Sequence, residues 1–284
     1  MGRIFTMKYL KTPLRYPGGK SRVAPMLLEK FPRDIKEFRE PFLGGASVAL
    51  LFSQKYPDIP VWVNDKYDNL YDFWITLQDH GDELSDILVA IKEENSTEEK
   101  AKELFLSAKE EISEADTFRS AVLFWILNKC SYSGLTENSS FSASASNQNF
   151  STRGAKKLKE VSEIIQHWEI TNHDYSELLM HEGDGTFCFL DPPYMISSYL
   201  YGAKAEMHKE FKHDRFIELC HESPNNWLVT YNVNEELKKS YSKFNQEEFR
   251  ITYGMKHRPD NKLKTELLVT NYRDISPLES LYNE

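Results

Sequence analysis

Long hydrophobic runs are missing from this 284-residue chain. No apolar stretch approaches the roughly 18 residues that a spanning helix needs, so no transmembrane segment is expected. The N-terminus has a few basic residues but no long apolar run before a cleavage-like site, and no signal peptide is read there. Cysteine is scarce. Cys130, Cys188 and Cys220 cannot all pair within the chain and lack metal-ligand spacing, which points to a reduced intracellular setting. His208, His213 and His257 are dispersed, and no catalytic metal is expected. A surplus of positive charge is also lacking: the formal charge of −9 argues against nucleic-acid binding by bulk electrostatics. It leaves room for one basic cleft on an acidic body, because the acidic surplus is strong between Glu93 and Glu114.

What is present suits a folded chain. Hydrophobic residues at 40%, charged at 28% and aromatic at 13% allow one substantial core with a smaller insertion. Thr12 to Lys20 holds two prolines and a glycine pair and is predicted to be a loop that a ligand can approach closely. Ser21 is placed to cap a helical segment that includes Val23, Met26, Leu27 and Leu28. A strand through Phe38 to Phe42 runs into Leu43-Gly44-Gly45-Ala46, and a helix follows from Ser47. Val61 to Asp65 forms a second strand with an acidic end, giving the right-handed β-α-β unit of an α/β sheet. Ligands of such sheets bind outside the carboxyl ends of the strands, where Gly44, Gly45 and Asp65 fall.

From about Leu70 to Asn128 the apolar spacing is helical, with Phe118 to Leu127 reading as a buried helix. Ser131 to Ser151, rich in Ser and Asn, is either a low-complexity solvent loop or a loop that meets nucleic acid. After a helix near Ala155 to Gln166, strands are predicted at Trp168–Ile170, Thr186–Leu190 and Trp227–Tyr231. Phe249–Thr252 and Leu267–Asn271 would pair as a hairpin. The fold class is therefore α/β and Rossmann-like. A discontinuous catalytic domain spans 1–70 and 155–284, with a mostly helical insertion over 71–154.

Asp191-Pro192-Pro193-Tyr194 follows a buried strand and needs a rigid change of direction, which two prolines supply. The Asp191 carboxylate and the Pro192 carbonyl can both accept from one planar NH2, orienting it and favouring positive charge that develops there. Tyr194 can stack on a base that has left its duplex. An ordinary surface turn is the plain alternative for these four residues.

Taken in order, these motifs resemble the Dam-type adenine-specific DNA N6-methyltransferases, D12 class and alpha group, over almost the whole chain. Tyr16-Pro17-Gly18-Gly19-Lys20 is similar to that family's N-terminal motif, and Pro41-Phe42-Leu43-Gly44-Gly45 to its glycine motif. Asn64-Asp65 matches its acidic second-strand end, Asn172 to Tyr175 its cofactor-adenine segment, and Asp191 to Tyr194 its catalytic run. The resemblance implies S-adenosylmethionine as cofactor and S-adenosylhomocysteine as product. It places the cofactor against Gly44 and Gly45, with Asp65 accepting from the ribose and Asp174 from the adenine amine. Tyr175 would pack on the adenine ring and Tyr16 near the methionine moiety. Lys20 would bind the cofactor carboxylate or bridge to Asp191; otherwise it is an exposed lysine at a helix start. Phe42 is either a cofactor contact or core packing. A solvated turn for Asp65, and a helix cap and core edge for Asp174 and Tyr175, are the plain alternatives.

The implied partner is double-stranded DNA, with no membrane and no metal, in the cytoplasm of a bacterial or phage-infected cell. The protein is expected to act as a monomer or transient dimer. Ser131, Tyr132, Ser133 and Asn138 could hydrogen-bond or stack near a flipped nucleotide, and Glu137 could accept from a cytosine amine or serve the fold. Arg153 and Lys156, with Lys157 and Lys159, form a basic group that is either a phosphate contact or a solvated face. Lys256, His257, Arg258, Lys262 and Lys264 give the expected hairpin a positive tip. His208 and Phe211 either close over the substrate or begin a helix. The Asn128 to Asn138 run departs from the family's usual one, so the resemblance assigns no recognition sequence. Open alternatives are methyl transfer to RNA adenine, cytosine N4 or a glutamine amide, and a catalytically inactive DNA-binding protein.

Overall fold

The computed structural model describes residues 9–194, 211–252 and 263–273; side chains at 251–252 and 263–264 are left aside. It divides into two compact units. One holds 1–24, 44–58 and 72–167, the other 25–43, 59–71 and 168–284, within those described limits.

The second unit is built on a seven-stranded sheet. Its strands are β1 (Glu37–Glu40), β2 (Val61–Asn64), β3 (Trp168–Thr171), β4 (Thr186–Leu190), β5 (Asn226–Asn232), β6 (Asn245–Thr252) and β7 (Leu263–Thr270), in the order β3-β2-β1-β4-β5-β7-β6. The first five run parallel, whereas β7 pairs antiparallel with both β5 and β6. The chain steps outward one way through β1, β2 and β3, then the other way through β4 and β5. The reversal between β1 and β4 is the switch point at which open α/β sheets leave a crevice for ligands.

β4 shows why its sequence is apolar without alternation: all five residues are buried. Phe187 and Phe189 face Phe31, at 4.4 and 6.1 Å between ring centroids, and Tyr272 closes on Phe187 at 5.9 Å. Cys188 and Leu190 point into a second core with Trp227, Val229 and Tyr231 of β5 and Leu267 and Val269 of β7. Three helices complete that core, α8 (Tyr175–Met180), α9 (His213–Glu222) and α10 (Glu235–Ser240), through Leu179, Phe216, Cys220 and Leu237. Parallel strands covered on both faces read as continuous hydrophobic runs.

β1 ends earlier than Phe42, the predicted limit. Pro41 has no amide hydrogen to continue the ladder, so pairing stops at Glu40 and Phe42 becomes part of the following turn. The C-terminal hairpin, conversely, is longer than predicted, with eight residues in each strand.

The first unit is helical. Short α1 (Ala24–Leu28) starts at its edge, and α2 (Ser47–Lys55) follows the glycine turn. Then come α3 (Asp68–Glu94), α4 (Glu98–Glu111), α5 (Thr117–Cys130), α6 (Ala143–Asn149) and α7 (Thr152–Ile165). Helix α3 breaks regular geometry at His80, beside Gly81, where a side chain would collide with Ser162 of α7. Every residue of α5 from Ser120 to Cys130 is buried, as its continuous apolar run from Ala121 to Leu127 requires, with polar Asn128 and Lys129 buried at its end. Ser21 does not cap α1 by the expected bond. Its hydroxyl lies 2.8 Å from that of Ser47, and the Lys20 carbonyl accepts from the amides of Val23 and Ala24 instead.

Ser131 to Ser151 is largely ordered rather than a plain solvent loop. It contains 3-10 turns at Tyr132–Gly134 and Thr136–Asn138, a bridge from Ser131 to Phe141, and α6, whose amide at Ala145 is capped by the Ser142 hydroxyl. Phe150 closes the segment from inside the core. Among the described residues, no helix is long and apolar enough to cross a membrane.

Candidate functional site

In the helical unit, the loop before α1 lies on the glycine turn. Gly44 has φ +49°, a conformation that side chains rarely adopt. A methyl group there would stand 2.8 Å from Cε1 of Tyr16, and one on Gly45 would stand 2.9 Å from Tyr16 Cβ. Tyr16 therefore rests on bare backbone, and the buried Trp74 indole fixes that backbone by donating to the Gly44 carbonyl at 3.1 Å. Lys20 is not an exposed helix-start lysine. It is 3% exposed, and Nζ donates to the Gly18 carbonyl at 3.3 Å, folding the cation back over its own loop.

In the sheet unit, the candidate residues collect at the carboxyl ends of the strands. Asn64 organises this edge although its sequence position suggested only a strand end. Fully buried, its amide donates to the carbonyls of Pro41 and His173, both at 3.2 Å, and accepts from the Thr171 hydroxyl at 2.9 Å and the His173 amide at 2.7 Å. One side chain thus ties together the ends of β1, β2 and β3. Asp65 follows it, with Oδ1 accepting from the Tyr67 amide at 3.0 Å and its carbonyl accepting from Asn172 at 2.8 Å. A carboxylate has about four acceptor positions, so this turn bond is compatible with a second acceptance from a ribose hydroxyl.

Asp174 does cap α8, accepting from the amide of Ser176 at 3.0 Å and from its hydroxyl. Partial burial would raise its pKa, but the Ser176 bonds, Arg215 and Lys66 prevail and hold it below the ordinary value, keeping it an ionised acceptor. Next to it, Tyr175 packs against Phe42 at 5.2 Å and against Phe211 and Phe216 at 5.5 Å. Burial pushes its hydroxyl up to about 12, so it stays protonated. Phe42 and Phe211 are only partly buried, so this aromatic group, whose rings meet at tilted and edge-on angles, keeps some accessible ring surface beside the core. Phe42 thus serves packing while remaining accessible.

Asp191 lies beyond β4, where the Thr230 hydroxyl of β5 donates to Oδ1 at 2.9 Å. Pro192 is buried, and Tyr194 stands 6.1 Å from Tyr231, whose burial raises its own pKa strongly. The site holds no thiolate nucleophile: burial pushes Cys130 up to about 11 and Cys188 up to about 12, and it raises Cys220 as well. Among the described residues no three His, Cys, Asp or Glu side chains gather as metal ligands.

The DNA candidates occupy varied positions. Ser131 is fully buried, with its hydroxyl accepting from the Thr136 amide at 3.2 Å, so it shapes the turn. Tyr132 and Asn138 are exposed, and Ser133 turns at φ +57° between exposed Tyr132 and buried Gly134. Arg153, Lys156 and Lys157 are exposed on α7, whereas Lys159 pairs with Asp86 at 2.9 Å and Asp82 at 3.4 Å. His208, Lys256, His257, Arg258 and Lys262 lie outside the described residues, as does the side chain of Lys264.

Lys129 was not singled out from sequence. It is 6% exposed at the end of α5, donating to the Pro13 carbonyl with Nζ 4.1 Å from the centre of the Trp125 ring. Burial, reinforced by the Arg15 charge and weakly opposed by Cys130, lowers its pKa from 10.5 to about 7. Between those values the unfolded chain binds a proton that the folded chain does not, so stability should rise with pH across that window. Relative to Lys129→Met, the wild-type unfolding free energy is expected to increase by up to about 1.4 kcal/mol per pH unit from pH 8 to 10. Denaturant titrations of both proteins measure this; parallel pH profiles would contradict it.

A mixed sheet with a reversed seventh strand, carrying acidic and glycine-bearing turns and Asp-Pro-Pro-Tyr beyond β4, defines a Rossmann-like methyltransferase fold with helical insertions. The family described as D12 class N6 adenine-specific DNA methyltransferase matches residues 16–255, and the chain belongs to that family. It is accordingly a methyltransferase acting on nucleic acid, and the family implies S-adenosylmethionine as its cofactor. Among curated proteins it is 26% identical over 285 residues to the type II methyltransferase M1.LlaDCHI of Lactococcus lactis subsp. cremoris, covering 91% of this chain and 94% of the relative. It is 26% identical over 200 residues to the type II methyltransferase M.MjaIII of Methanocaldococcus jannaschii, covering 65% and 69%. A 65-residue stretch is 35% identical to the modification methylase StsI of Streptococcus sanguinis, covering 22% of this chain and 10% of that one.

Proposed function

We propose that the protein transfers a methyl group from S-adenosylmethionine to N6 of an adenine flipped out of double-stranded DNA, in the manner of the Dam-type enzymes. The observation that carries this reading is Asp191, pinned by Thr230 at the carboxyl edge of the sheet and followed by two prolines and a tyrosine. The names of the relatives, two type II methyltransferases and a modification methylase, support a DNA-modifying role.

Bound cofactor supplies an electrophilic methyl group on a positively charged sulfur. Tyr16, Lys20, Phe42, Gly44, Gly45, Asp65, Asp174, Tyr175 and Asp191 are proposed to bind it. In the helical unit the bare backbone of Gly44 and Gly45, and in the sheet unit the carboxylates of Asp65 and Asp174 and the partly buried rings of Phe42 and Tyr175, are each the kind of group that a nucleoside with a charged tail calls for. Asp191 and the Pro192 carbonyl accept from the adenine NH2, orienting its lone pair and favouring the positive charge that grows on nitrogen. Pro193 keeps the turn rigid, and Tyr194 offsets part of the stacking lost by the extruded base. As the N–C bond forms, the S–C bond would break with its electron pair staying on sulfur as S-adenosylhomocysteine, and the cationic nitrogen then gives its surplus proton to solvent.

Residues 71–154 are proposed as the target-recognition insertion, with Tyr132, Ser133, Asn138 and Arg153 facing DNA, Lys156 adding a basic contact just beyond it on α7, and Ser131 supporting the turn. Lys256, Arg258, Lys262 and Lys264 would neutralise phosphates, making binding salt-sensitive. The test is transfer of labelled methyl to unmethylated mixed-sequence duplex DNA, with RNA assayed in parallel. Label in DNA is expected. Label confined to RNA would replace this reading.

A further inference from the structure

Within the helical unit, α5 ends under the loop that carries Tyr16. The fully buried Asn128 reads that loop from both sides: Oδ1 accepts from the Arg15 amide at 3.0 Å and Nδ2 donates to the Arg15 carbonyl at 2.8 Å. The same Nδ2 reaches the Gly134 carbonyl at 3.5 Å. Arg15 answers with its guanidinium, donating to the Ser131 carbonyl at 2.9 Å, and Lys129 holds Pro13. Gly134 has φ +75°, and any side chain there would collide with the Arg15 carbonyl. Tyr132, which is 49% exposed, sits at the outer end of this turn. At the inner end, Tyr16 lies on Gly44 and Gly45. Packed contacts of this kind do not deform continuously, so a shift of the turn must move Arg15 and with it Tyr16.

We propose that Asn128 is a positioning residue that links the Tyr132 turn to the Tyr16 loop, so that nucleic acid at the turn and cofactor at the glycine pair raise each other's affinity. The inference rests on the function proposed above, since it takes the turn to meet nucleic acid. Linkage makes such coupling reciprocal, and a typical coupling corresponds to about 5- to 150-fold in affinity.

The test compares S-adenosylhomocysteine affinity, by calorimetry, with and without saturating mixed-sequence duplex DNA. For the wild-type protein the duplex is expected to tighten binding about tenfold. In Asn128→Ala that ratio is expected to fall below about twofold, while affinity without DNA changes by less than about threefold. A merely structural role would lower both affinities and leave their ratio alone. Because Asn128→Ala leaves the buried Arg15 amide and carbonyl without their partner, Arg15→Met provides a second variant; it keeps the packing stem and the backbone bonds to Asn128, loses the bond to Ser131 together with the charge beside Lys129, and should reduce the ratio partially. An unchanged ratio in either folded variant overturns the proposal. Should the protein methylate RNA instead, the proposed substrate fails, and the same titrations with that RNA decide the coupling. A wild-type cofactor affinity indifferent to both nucleic acids overturns it outright.

Discussion

Replacing Asp191 with alanine is expected to lower the single-turnover rate of methyl transfer by about 10²- to 10³-fold, the usual effect of removing one preorganised electrostatic partner of a transition state. An exocyclic amine is a poor nucleophile because its lone pair is delocalised into the ring, and the carboxylate favours the positive charge that appears as that delocalisation is lost. Thr230 holds Oδ1 of this carboxylate at 2.9 Å, so the group is aimed before the base arrives. Asp191→Asn keeps one acceptor without the charge and should fall between alanine and wild type. S-Adenosylhomocysteine affinity, measured alongside, should remain within about tenfold, since the other proposed cofactor groups stay in place. An unchanged rate in Asp191→Ala would remove this residue from the mechanism.

Gly44→Ala is expected to weaken cofactor binding on the order of a hundredfold, or about 2.7 kcal/mol. Two effects add. The positive φ of +49° is strained for any side chain, and the new methyl would stand 2.8 Å from the Tyr16 ring. Tyr16 would have to leave the turn, and the backbone it covers would shift against Trp74. The steric part has its own signature. In a Tyr16→Ala background the ring is gone, so adding Gly44→Ala should cost clearly less than it does alone; strict additivity of the two substitutions would argue against this contact.

Much of this architecture was legible because the physics behind it is local. Thr186 to Leu190 was read with its observed limits, being a short apolar run bounded by a glycine turn and two prolines. The β-α-β unit followed from the glycine turn between two strands; β1 begins one residue earlier than predicted and stops at Glu40 because Pro41 ends the ladder, and β2 ends at Asn64 instead of Asp65. Helix α6 was hidden because Ala143-Ser144-Ala145-Ser146-Asn147-Gln148-Asn149 has no apolar periodicity; a hydroxyl cap and burial of Ala145 and Ser146 sustain it. The tying roles of Asn64 and Lys129 were not legible for a shared reason. Both are polar residues beside apolar runs, and their worth lies in partners more than 100 residues away, His173 for one and Pro13 for the other. Sequence spacing reports which face a residue takes within its own element, not which backbone carbonyl waits there.

The candidate site divides along the same line. Motif residues at the strand ends were legible because turns and strand order place them there. The plain roles are observed: Asp174 does cap a helix, and Phe42 does pack in a cluster, and neither role prevents the residue from facing a ligand.

The most direct test of the central claim is the identity of the methylated nucleoside. Duplex DNA incubated with the protein and labelled S-adenosylmethionine would be digested to nucleosides and resolved by mass spectrometry. The account predicts N6-methyladenine, reduced about a hundredfold or more when Asp191→Ala is used for the same short time. N4-methylcytosine as the product would contradict it, as would methyl groups found only in RNA.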